Sequence, residues 1–266
     1  MKKILAFDVD QTLNVAKTPI PEEISELLIK LLRAGFKICP ISGQKFDQFL
    51  IQIVDPILKN GGKPSDLKNL HLFVAQGTQY YRYASSDKTY SPKNWEKVYN
   101  FPLTDAQVSE ICSALEKSAK ELGFWEEDKL KPGDEIIENR LSQVTFSALG
   151  QSAGTKEKYA WDPDCKKREK IVEKAKLLAP DFEFEIGGTT SINAFVPGMN
   201  KVFGMTHLME ELNAEKSDIL YFGDMTQPGG NDYPVVEMGI DTITVRSHED
   251  TAYALRGILG VSGALK

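Results

Sequence analysis

Residues 4–12 read Ile-Leu-Ala-Phe-Asp-Val-Asp-Gln-Thr, and this stretch decides the fold. Its first half is a compact apolar run without helical spacing, which is typical of a strand that is buried on both faces of a sheet. Asp8 and Asp10 follow at the carboxyl end of that strand, the edge at which open α/β sheets bind ligands. Because an isolated acidic pair is more often a turn that ends a strand, its interpretation depends on the rest of the chain.

The elements that follow the first strand predict a parallel sheet. A helix with Pro21 at its first position and Gly35 as its stop carries an apolar stripe. A second strand at 36–41, a helix near 44–58 and a third strand at 71–75 continue the alternation of strand and helix. The predicted fold class is therefore α/β, with a doubly wound, Rossmann-like parallel sheet.

The middle of the chain follows another pattern, in which paired strands and two helices replace the alternation of strand and helix. The α/β pattern resumes at Asn200 with a helix and a very apolar strand at 219–222. We therefore predict a discontinuous catalytic core with an α+β cap inserted into it. The predicted core spans 1–85 and 197–266, and the predicted cap spans 86–196.

The composition excludes several classes of partner. The 266 residues include 32 basic and 38 acidic side chains, for a net charge of −6, so no overall basic field attracts nucleic acid. No apolar stretch approaches the length of a membrane span. The three cysteines, Cys39, Cys112 and Cys165, are far apart, which argues against a disulfide framework or a thiolate zinc site. We predict a cytoplasmic protein without nucleic-acid or membrane partners.

Polar side chains recur at the carboxyl ends of the other predicted core strands or at the adjacent helix starts. These are Ser42, Lys201, Asp224 and Asp232. Carboxylate oxygens suit Mg²⁺, and a lysine and a hydroxyl can bind phosphate oxygens. Because phosphoryl transfer requires in-line positioning and neutralisation of charge, this set of groups predicts phosphoryl-transfer chemistry at the edge that carries Asp8 and Asp10.

With these residues in place, the chain resembles the haloacid dehalogenase superfamily, in the branch with an α/β cap between the second and third motifs. Gln11 stands where the first motif of that superfamily usually has Gly. The resemblance is carried by Phe7-Asp8-Val9-Asp10-Gln11-Thr12, by Ile41-Ser42-Gly43, by Lys201, and by Gly223-Asp224 with Gly230-Asn231-Asp232.

The resemblance implies a role for each of these residues. Asp8 is the nucleophile that becomes aspartyl phosphate, and Asp10 protonates the leaving group and then activates water. Ser42 and Lys201 contact the phosphate. The carboxylates of Asp8 and Asp224 and the main-chain carbonyl of Asp10 hold Mg²⁺. Asp232 orients the groups around the ion.

Within that branch the chain is more similar to the eukaryotic-type phosphomannomutases. Residues 221–232 follow their fourth-motif loop, including the run Pro-Gly-Gly-Asn-Asp. Three cap arginines grip the distant phosphate in that family. Here Arg140 matches the first, while Gln151 and Lys158 replace the other two. Near the sugar, Ser191 is kept, and Asn193 replaces an aspartate.

A lysine or a neutral amide does not grip a phosphate as a bidentate arginine does. We therefore predict that water reaches the aspartyl phosphate and that the protein is a Mg²⁺-dependent phosphatase. Its expected substrate is a small phosphate ester, with a sugar phosphate favoured. The first alternative is a sugar phosphomutase, and the second is a non-catalytic sugar-phosphate-binding protein. The resemblance also implies a homodimer through the cap.

Overall fold

The computed structural model describes residues 2–265, so Met1 and Lys266, which the predicted core includes, lie outside the described residues. No helix within this range is long and apolar enough to cross a bilayer. The strands are β1 (Ile4–Phe7), β2 (Lys37–Pro40), β3 (His71–Val74), β4 (Gln79–Tyr83), β5 (Trp95–Asn100), β6 (Ile137–Asn139), β7 (Val144–Ser147), β8 (Glu183–Gly187), β9 (Ser191–Phe195), β10 (Ile219–Gly223) and β11 (Asp241–Thr244). The α-helices are α1 (Glu22–Arg33), α2 (Phe46–Phe49), α3 (Asp55–Lys59), α4 (Asp105–Glu121), α5 (Thr155–Trp161), α6 (Lys166–Leu178), α7 (Lys201–Leu212), α8 (Tyr233–Glu237) and α9 (His248–Ser262).

The described chain divides into two compact units, of which the first comprises residues 2–100 and 200–265. Its central sheet is parallel, with the strand order β11-β10-β1-β2. Helices cover both faces of β1, since Leu5 and Phe7 belong to the cluster that contains α1 and α9. Ile4 and Ala6 belong to the cluster with Met205 of α7. The α/β class and the doubly wound sheet are as predicted.

Two local features differ from the sequence-based expectation. Helix α1 begins at Glu22, so Pro21 precedes the helix rather than occupying its first position. The helix predicted near 44–58 is instead α2, a π-helical turn at Leu50–Val54, and α3. Pro56 has no N–H to donate to the carbonyl of Gln52, and that carbonyl accepts a hydrogen bond from the Ile20 amide at 2.8 Å.

A second sheet of this unit is antiparallel, with the order β3-β4-β5. Bridges between Ile38 and Leu70 and between Ile41 and Phe73 connect it to the chain around β2. The first segment of this unit runs to Asn100, past the predicted end at residue 85, because β5 pairs with β4 across one bulge. The second boundary lies at 199/200.

The second unit spans Phe101–Met199 and has an antiparallel sheet with the order β6-β7-β9-β8. Its core contains Val144, Phe146, Ile192 and Ala194 together with apolar residues of α4 and α6. Because side chains alternate along a strand, the residues between them face away from those helices. The opposite face of this sheet therefore presents polar residues of β7 and β9.

Buried His71 predicts a pH dependence of stability. Burial, and then Lys37 and Arg82, lower the pKa of His71 to about 4, and its Nδ1 lies 2.8 Å from the Tyr80 hydroxyl. Below about pH 6.5 the unfolded chain binds a proton that the folded chain does not, so stability falls as the pH drops toward 4, by up to about 3 kcal/mol. Urea unfolding of His71→Gln and of the wild type should therefore show a stability difference that shifts in favour of the variant between pH 7 and pH 4.5. A difference independent of pH would contradict this prediction.

Candidate active site

Asp8 comes directly after β1 at the carboxyl edge of the parallel sheet. The Asp8 amide donates to the Phe222 carbonyl at 2.8 Å, which extends the ladder between β1 and β10 by one residue. Its side chain is buried, and Oδ1 accepts a hydrogen bond from Lys201 Nζ at 2.6 Å. Burial raises the pKa of Asp8 well above its usual range, although Lys201 opposes the shift.

Lys201 is buried and bridges two carboxylates. Its Nζ donates to Asp8 Oδ1 at 2.6 Å and to Asp232 Oδ1 at 2.5 Å. Burial alone would lower the pKa of Lys201, but Asp232 and Asp8 raise it well above its usual value. Lys201 is therefore a permanent cation between the two acids.

Local backbone geometry places Lys201 at this point. Asn200 caps α7, since its side-chain oxygen accepts from the Val202 amide at 2.9 Å, so Lys201 is the first helical residue. One turn later Gly204 lies against Gly77. A Cβ on Gly77 would stand 2.3 Å from the Gly204 Cα, and Gly77 has a φ of +85°. Glycine is required on both sides because the two backbones touch.

Asp232 is fully buried and its carboxylate accepts three hydrogen bonds. Besides Lys201, Oδ1 accepts from the Tyr221 hydroxyl at 2.5 Å, and Oδ2 accepts from the Met225 amide at 3.0 Å. Burial raises the pKa of Asp232, but Lys201 and these hydrogen bonds outweigh that effect and hold it below its usual value. The side chain therefore stays ionised, and its position orients Lys201. The sequence analysis missed Tyr221, because it sits in an apolar strand and is indistinguishable there from a core residue.

Asp224 completes the acidic cluster. It follows β10 directly and is partly exposed, and burial together with Asp232 raises its pKa to about 6. Oxygen atoms of Asp8, Asp224 and Asp232 lie within 4.8 Å of one another. Three carboxylates and one ammonium leave a formal charge of −2, and carboxylate oxygens are the ligands that Mg²⁺ prefers. The donor set therefore fits a hard divalent cation, and each of the three aspartates offers a carboxylate oxygen to it.

Two hydrogen bonds hold the Asp10 carboxylate. Asp10 Oδ1 accepts hydrogen bonds from the Lys17 amide at 2.8 Å and from Gln44 Nε2 at 3.0 Å. Gln11, next to it, has a φ of +66°, in the left-handed region that favours glycine. Gln11 therefore has a backbone conformation that favours glycine, the residue that the first motif usually has at this point.

Ser42 is buried at the end of β2, between the first and second sheets of the core. Its amide donates to the Phe73 carbonyl at 3.2 Å, and its carbonyl accepts from the Gln76 amide at 2.9 Å. Gln44, two residues later, is a polar side chain that the sequence analysis missed. Its position in a predicted helix start gave no signal that it would contact Asp10.

The cap residues predicted to bind substrate form one polar network on the sheet of the second unit. Arg140 pairs with Glu138 at 2.7 Å. Gln151 Nε2 donates to Ser147 Oγ at 2.9 Å and to Glu138 at 3.3 Å.

The other members of this network lie around the same two strands, β7 and β9. Ser191 Oγ lies 3.1 Å from Ser147 Oγ, and Asn193 Oδ1 accepts from Thr145 Oγ1 at 2.9 Å. Lys158 is buried and donates to the main-chain carbonyl of Gln151 at 2.6 Å. The structure thus gathers all five predicted side chains, while their contact with a substrate stays a prediction.

Comparison with known proteins identifies the family. The model of the eukaryotic phosphomannomutase family matches residues 129–261, which is half of the chain. The chain belongs to the eukaryotic phosphomannomutase family. Its curated relatives include a probable phosphomannomutase of Caenorhabditis elegans, 27% identical over 267 residues that cover 97% of this chain and 96% of the relative. The phosphomannomutase of Saccharomyces cerevisiae is 27% identical over 95% of this chain and 92% of its own length.

Solved structures place this phosphomannomutase-family chain in the haloacid dehalogenase fold, as predicted. A haloacid dehalogenase-like hydrolase from Bacteroides thetaiotaomicron matches with a TM-score of 0.61 and 14% identity, over 97% of this chain and 100% of the other. The N-terminally truncated, IMP-bound IMP-nucleotidase of Plasmodium falciparum matches with a TM-score of 0.64 and 15% identity, over 97% and 68%. At these identities the likeness concerns the fold alone.

The prediction that the protein is primarily a phosphatase is wrong. The family model and the curated relatives point to a phosphomutase, which was the first alternative. That prediction rested on the smaller number of arginines in the cap, which would hold the distant phosphate less tightly and let water reach the aspartyl phosphate. That count does not identify the nucleophile that meets the aspartyl phosphate, because this depends on which acceptor oxygen is aligned with phosphorus.

Proposed function

We propose that this protein is a Mg²⁺-dependent sugar phosphomutase that transfers a phosphoryl group between two oxygens of a hexose phosphate through Asp8. The observation that supports it most is the cluster of the buried Asp8, Lys201 and Asp232 with the partly exposed Asp224, in a chain of the phosphomannomutase family. Such a cluster supplies a carboxylate nucleophile beside a fixed cation, which phosphoryl transfer requires.

In the first half-reaction, the carboxylate of Asp8 attacks the phosphorus of a phosphorylated hexose. The bond between phosphorus and the sugar oxygen breaks, and Asp10 gives that oxygen a proton, so the sugar leaves as an alcohol. Lys201, held between Asp8 and Asp232, stabilises the negative charge of the phosphoryl oxygens. Asp8 then carries the phosphoryl group as an acyl phosphate.

In the second half-reaction, another hydroxyl of the hexose attacks the phosphorus of phospho-Asp8. Asp10 takes the proton of that hydroxyl, and the carboxylate of Asp8 is released. When the attacking hexose already bears one phosphate, this step forms a hexose bisphosphate. The first half-reaction then takes the other phosphate of that bisphosphate and releases the isomeric hexose monophosphate, while the remaining phosphate stays on the sugar. The polar network of the cap, with Arg140, Gln151, Lys158, Ser191 and Asn193, offers donors for sugar hydroxyls and for that phosphate.

Asp8 and Asp224, with the main-chain carbonyl of Asp10, are the groups proposed to hold Mg²⁺. Bound there, the ion would neutralise the charge of the phosphoryl group and of the carboxylates around it. The formal charge of −2 on the cluster, counted from its three carboxylates and one lysine, supports a divalent ion at this point.

The test of mutase activity is a comparison of two products from one substrate. The protein is incubated with mannose 1-phosphate, Mg²⁺ and a catalytic amount of hexose bisphosphate, and ³¹P NMR follows both the isomeric sugar phosphate and inorganic phosphate. We expect the isomer to form faster than inorganic phosphate, and we expect omission of the bisphosphate to slow isomer formation. Release of inorganic phosphate as the main product, with the bisphosphate present, would contradict the proposal.

Dimerisation through the cap stays a prediction, and so does a location in the cytoplasm. Small-angle scattering and analytical ultracentrifugation of the purified chain would measure the first directly.

A further inference from the structure

Gln44 is a polar side chain in the first unit that the proposed reaction does not use. It is 8% exposed, and its Nε2 donates to Asp10 Oδ1 at 3.0 Å. Its Oε1 is buried and has no hydrogen-bond partner among residues 2–265. A buried polar atom without a hydrogen-bond partner lowers the stability of the folded protein, so a glutamine at this position needs a compensating structural or functional role.

A second hydrogen bond to Asp10 Oδ1 indicates that the compensating role is a fixed orientation of the Asp10 carboxylate. The Lys17 amide also donates to Asp10 Oδ1, at 2.8 Å. Two N–H groups thus occupy one oxygen of the carboxylate, while no hydrogen bond within the described chain involves Asp10 Oδ2. The two donors therefore bind Asp10 to the protein through Oδ1, and Oδ2 is the oxygen that can contact a substrate.

The backbone around Gln44 is itself held in place. The Gln44 carbonyl accepts from the Ala75 amide at 3.1 Å, and the Ser42 carbonyl accepts from the Gln76 amide at 2.9 Å. Two main-chain hydrogen bonds therefore tie the segment around Gln44 to the turn at residues 75–77. The fold thereby determines the direction of the Gln44 side-chain amide. A hydrogen bond from such a fixed group restricts the rotation of the Asp10 carboxylate.

We propose that Gln44 is a positioning residue for proton transfer at Asp10, holding Oδ1 so that Oδ2 meets the sugar oxygen. The inference rests on the proposed function only in assigning proton transfer to Asp10, and it applies to the cleavage of any phosphate ester by Asp8. Gln44 touches neither the ester nor the phosphoryl group in this proposal. It acts through Asp10.

The experiment compares two esters whose leaving groups differ in their need for a proton. An alkyl phosphate such as mannose 6-phosphate releases an alkoxide that must be protonated, whereas p-nitrophenyl phosphate releases a weakly basic phenolate. First-turnover rates are measured by rapid quench for wild type, Gln44→Met and Gln48→Met, each with Mg²⁺. Gln48 is exposed on α2 and serves as the matched control.

For Gln44→Met we expect the alkyl ester to react about tenfold to a hundredfold more slowly, and p-nitrophenyl phosphate to react less than about threefold more slowly. KM should stay within about twofold, since Gln44 does not bind the ester. The midpoint of urea unfolding should be unchanged or higher, because the substitution removes the unpartnered Oε1 along with the hydrogen bond. Gln48→Met should match the wild type on both esters.

Equal losses on the two esters, or a loss that follows a lowered urea midpoint, would overturn the proposal, and so would wild-type rates for Gln44→Met. If the wild type cleaves the esters but never returns the phosphoryl group to the sugar, the proposed function fails while the Gln44 inference is still decided by the comparison. A wild-type chain that transfers a phosphoryl group from neither ester would overturn both.

Discussion

Asp8→Asn is expected to lower phosphoryl transfer by about 10³-fold or more, as removal of a covalent nucleophile does in other enzymes. The amide is nearly the same size as the carboxylate and its oxygen can still accept from Lys201 Nζ, which lies 2.6 Å from Asp8 Oδ1 in the wild type. The substitution removes the negative charge and one of the two carboxylate oxygens, and the neutral amide is a poor nucleophile. Activity measured by ³¹P NMR on mannose 1-phosphate reports the change.

The same substitution should not unfold the protein. Asp8, Asp224 and Asp232 lie within 4.8 Å of one another around one lysine, so loss of one negative charge reduces repulsion in the cluster. Without Mg²⁺ we expect the thermal midpoint of Asp8→Asn to equal or exceed that of the wild type. With Mg²⁺ we expect the wild-type midpoint to rise more than that of the variant, because the variant loses a ligand.

Asp87→Asn is the matched control, since Asp87 is exposed in a loop. It should keep both the activity and the response of the thermal midpoint to Mg²⁺. Turnover by Asp8→Asn close to that of the wild type would show that Asp8 is not the nucleophile. Equal Mg²⁺ responses of the wild type and Asp8→Asn would show that Asp8 does not hold the ion.

Lys201→Met is expected to abolish transfer and to destabilise the protein by about 3–5 kcal/mol at pH 7, the usual cost of breaking a buried ion pair from one side. The substitution keeps the length and packing of the side chain at the start of α7. It removes the ammonium that donates to both Asp8 and Asp232. The carboxylates of Asp8, Asp232 and Asp224 then repel one another without a cation between them. Urea unfolding measures the loss of stability, and the ³¹P NMR assay measures the loss of transfer.

A double variant separates the charge effect from packing. Asp8→Asn with Lys201→Met removes one acid along with the lysine, so it should be less destabilised than the sum of the two single variants. Lys59→Met, at an exposed position of α3, is the control and should change stability by less than about 0.5 kcal/mol. Additive single effects would show that Lys201 does not interact with Asp8 in the folded protein.

The class of the fold was predictable from sequence because local patterns carry it. The apolar run before Asp8 is typical of a buried strand, and the alternation of strand and helix implies a parallel sheet. The end of the first unit was less predictable. The pairing of β5 with β4 spans the loop at 84–94, so the end of this segment depends on a contact between residues on both sides of that loop.

The activity was predictable only in part. The spacing of Asp8, Lys201 and Asp224 indicated phosphoryl transfer, but replacements in the cap led to the wrong acceptor. The structure shows that Gln151 and Lys158 are joined to each other, through Lys158 Nζ and the Gln151 carbonyl, rather than standing alone in place of arginines. Side-chain identity at separate positions does not reveal such coupling.

The sequence alone determined the α/β class, the inserted cap and the chemical nature of the acidic cluster, since these depend on local periodicity and on residue types at strand ends. Only the tertiary structure decided that Lys201 bridges Asp8 and Asp232, that Tyr221 supports Asp232, and that Gln44 holds Asp10. The physical reason is that hydrogen bonds between residues 34 or 193 positions apart depend on backbone placement to within an ångström. The close approach of Gly77 and Gly204 sets that placement for Lys201, and no sequence pattern encodes it.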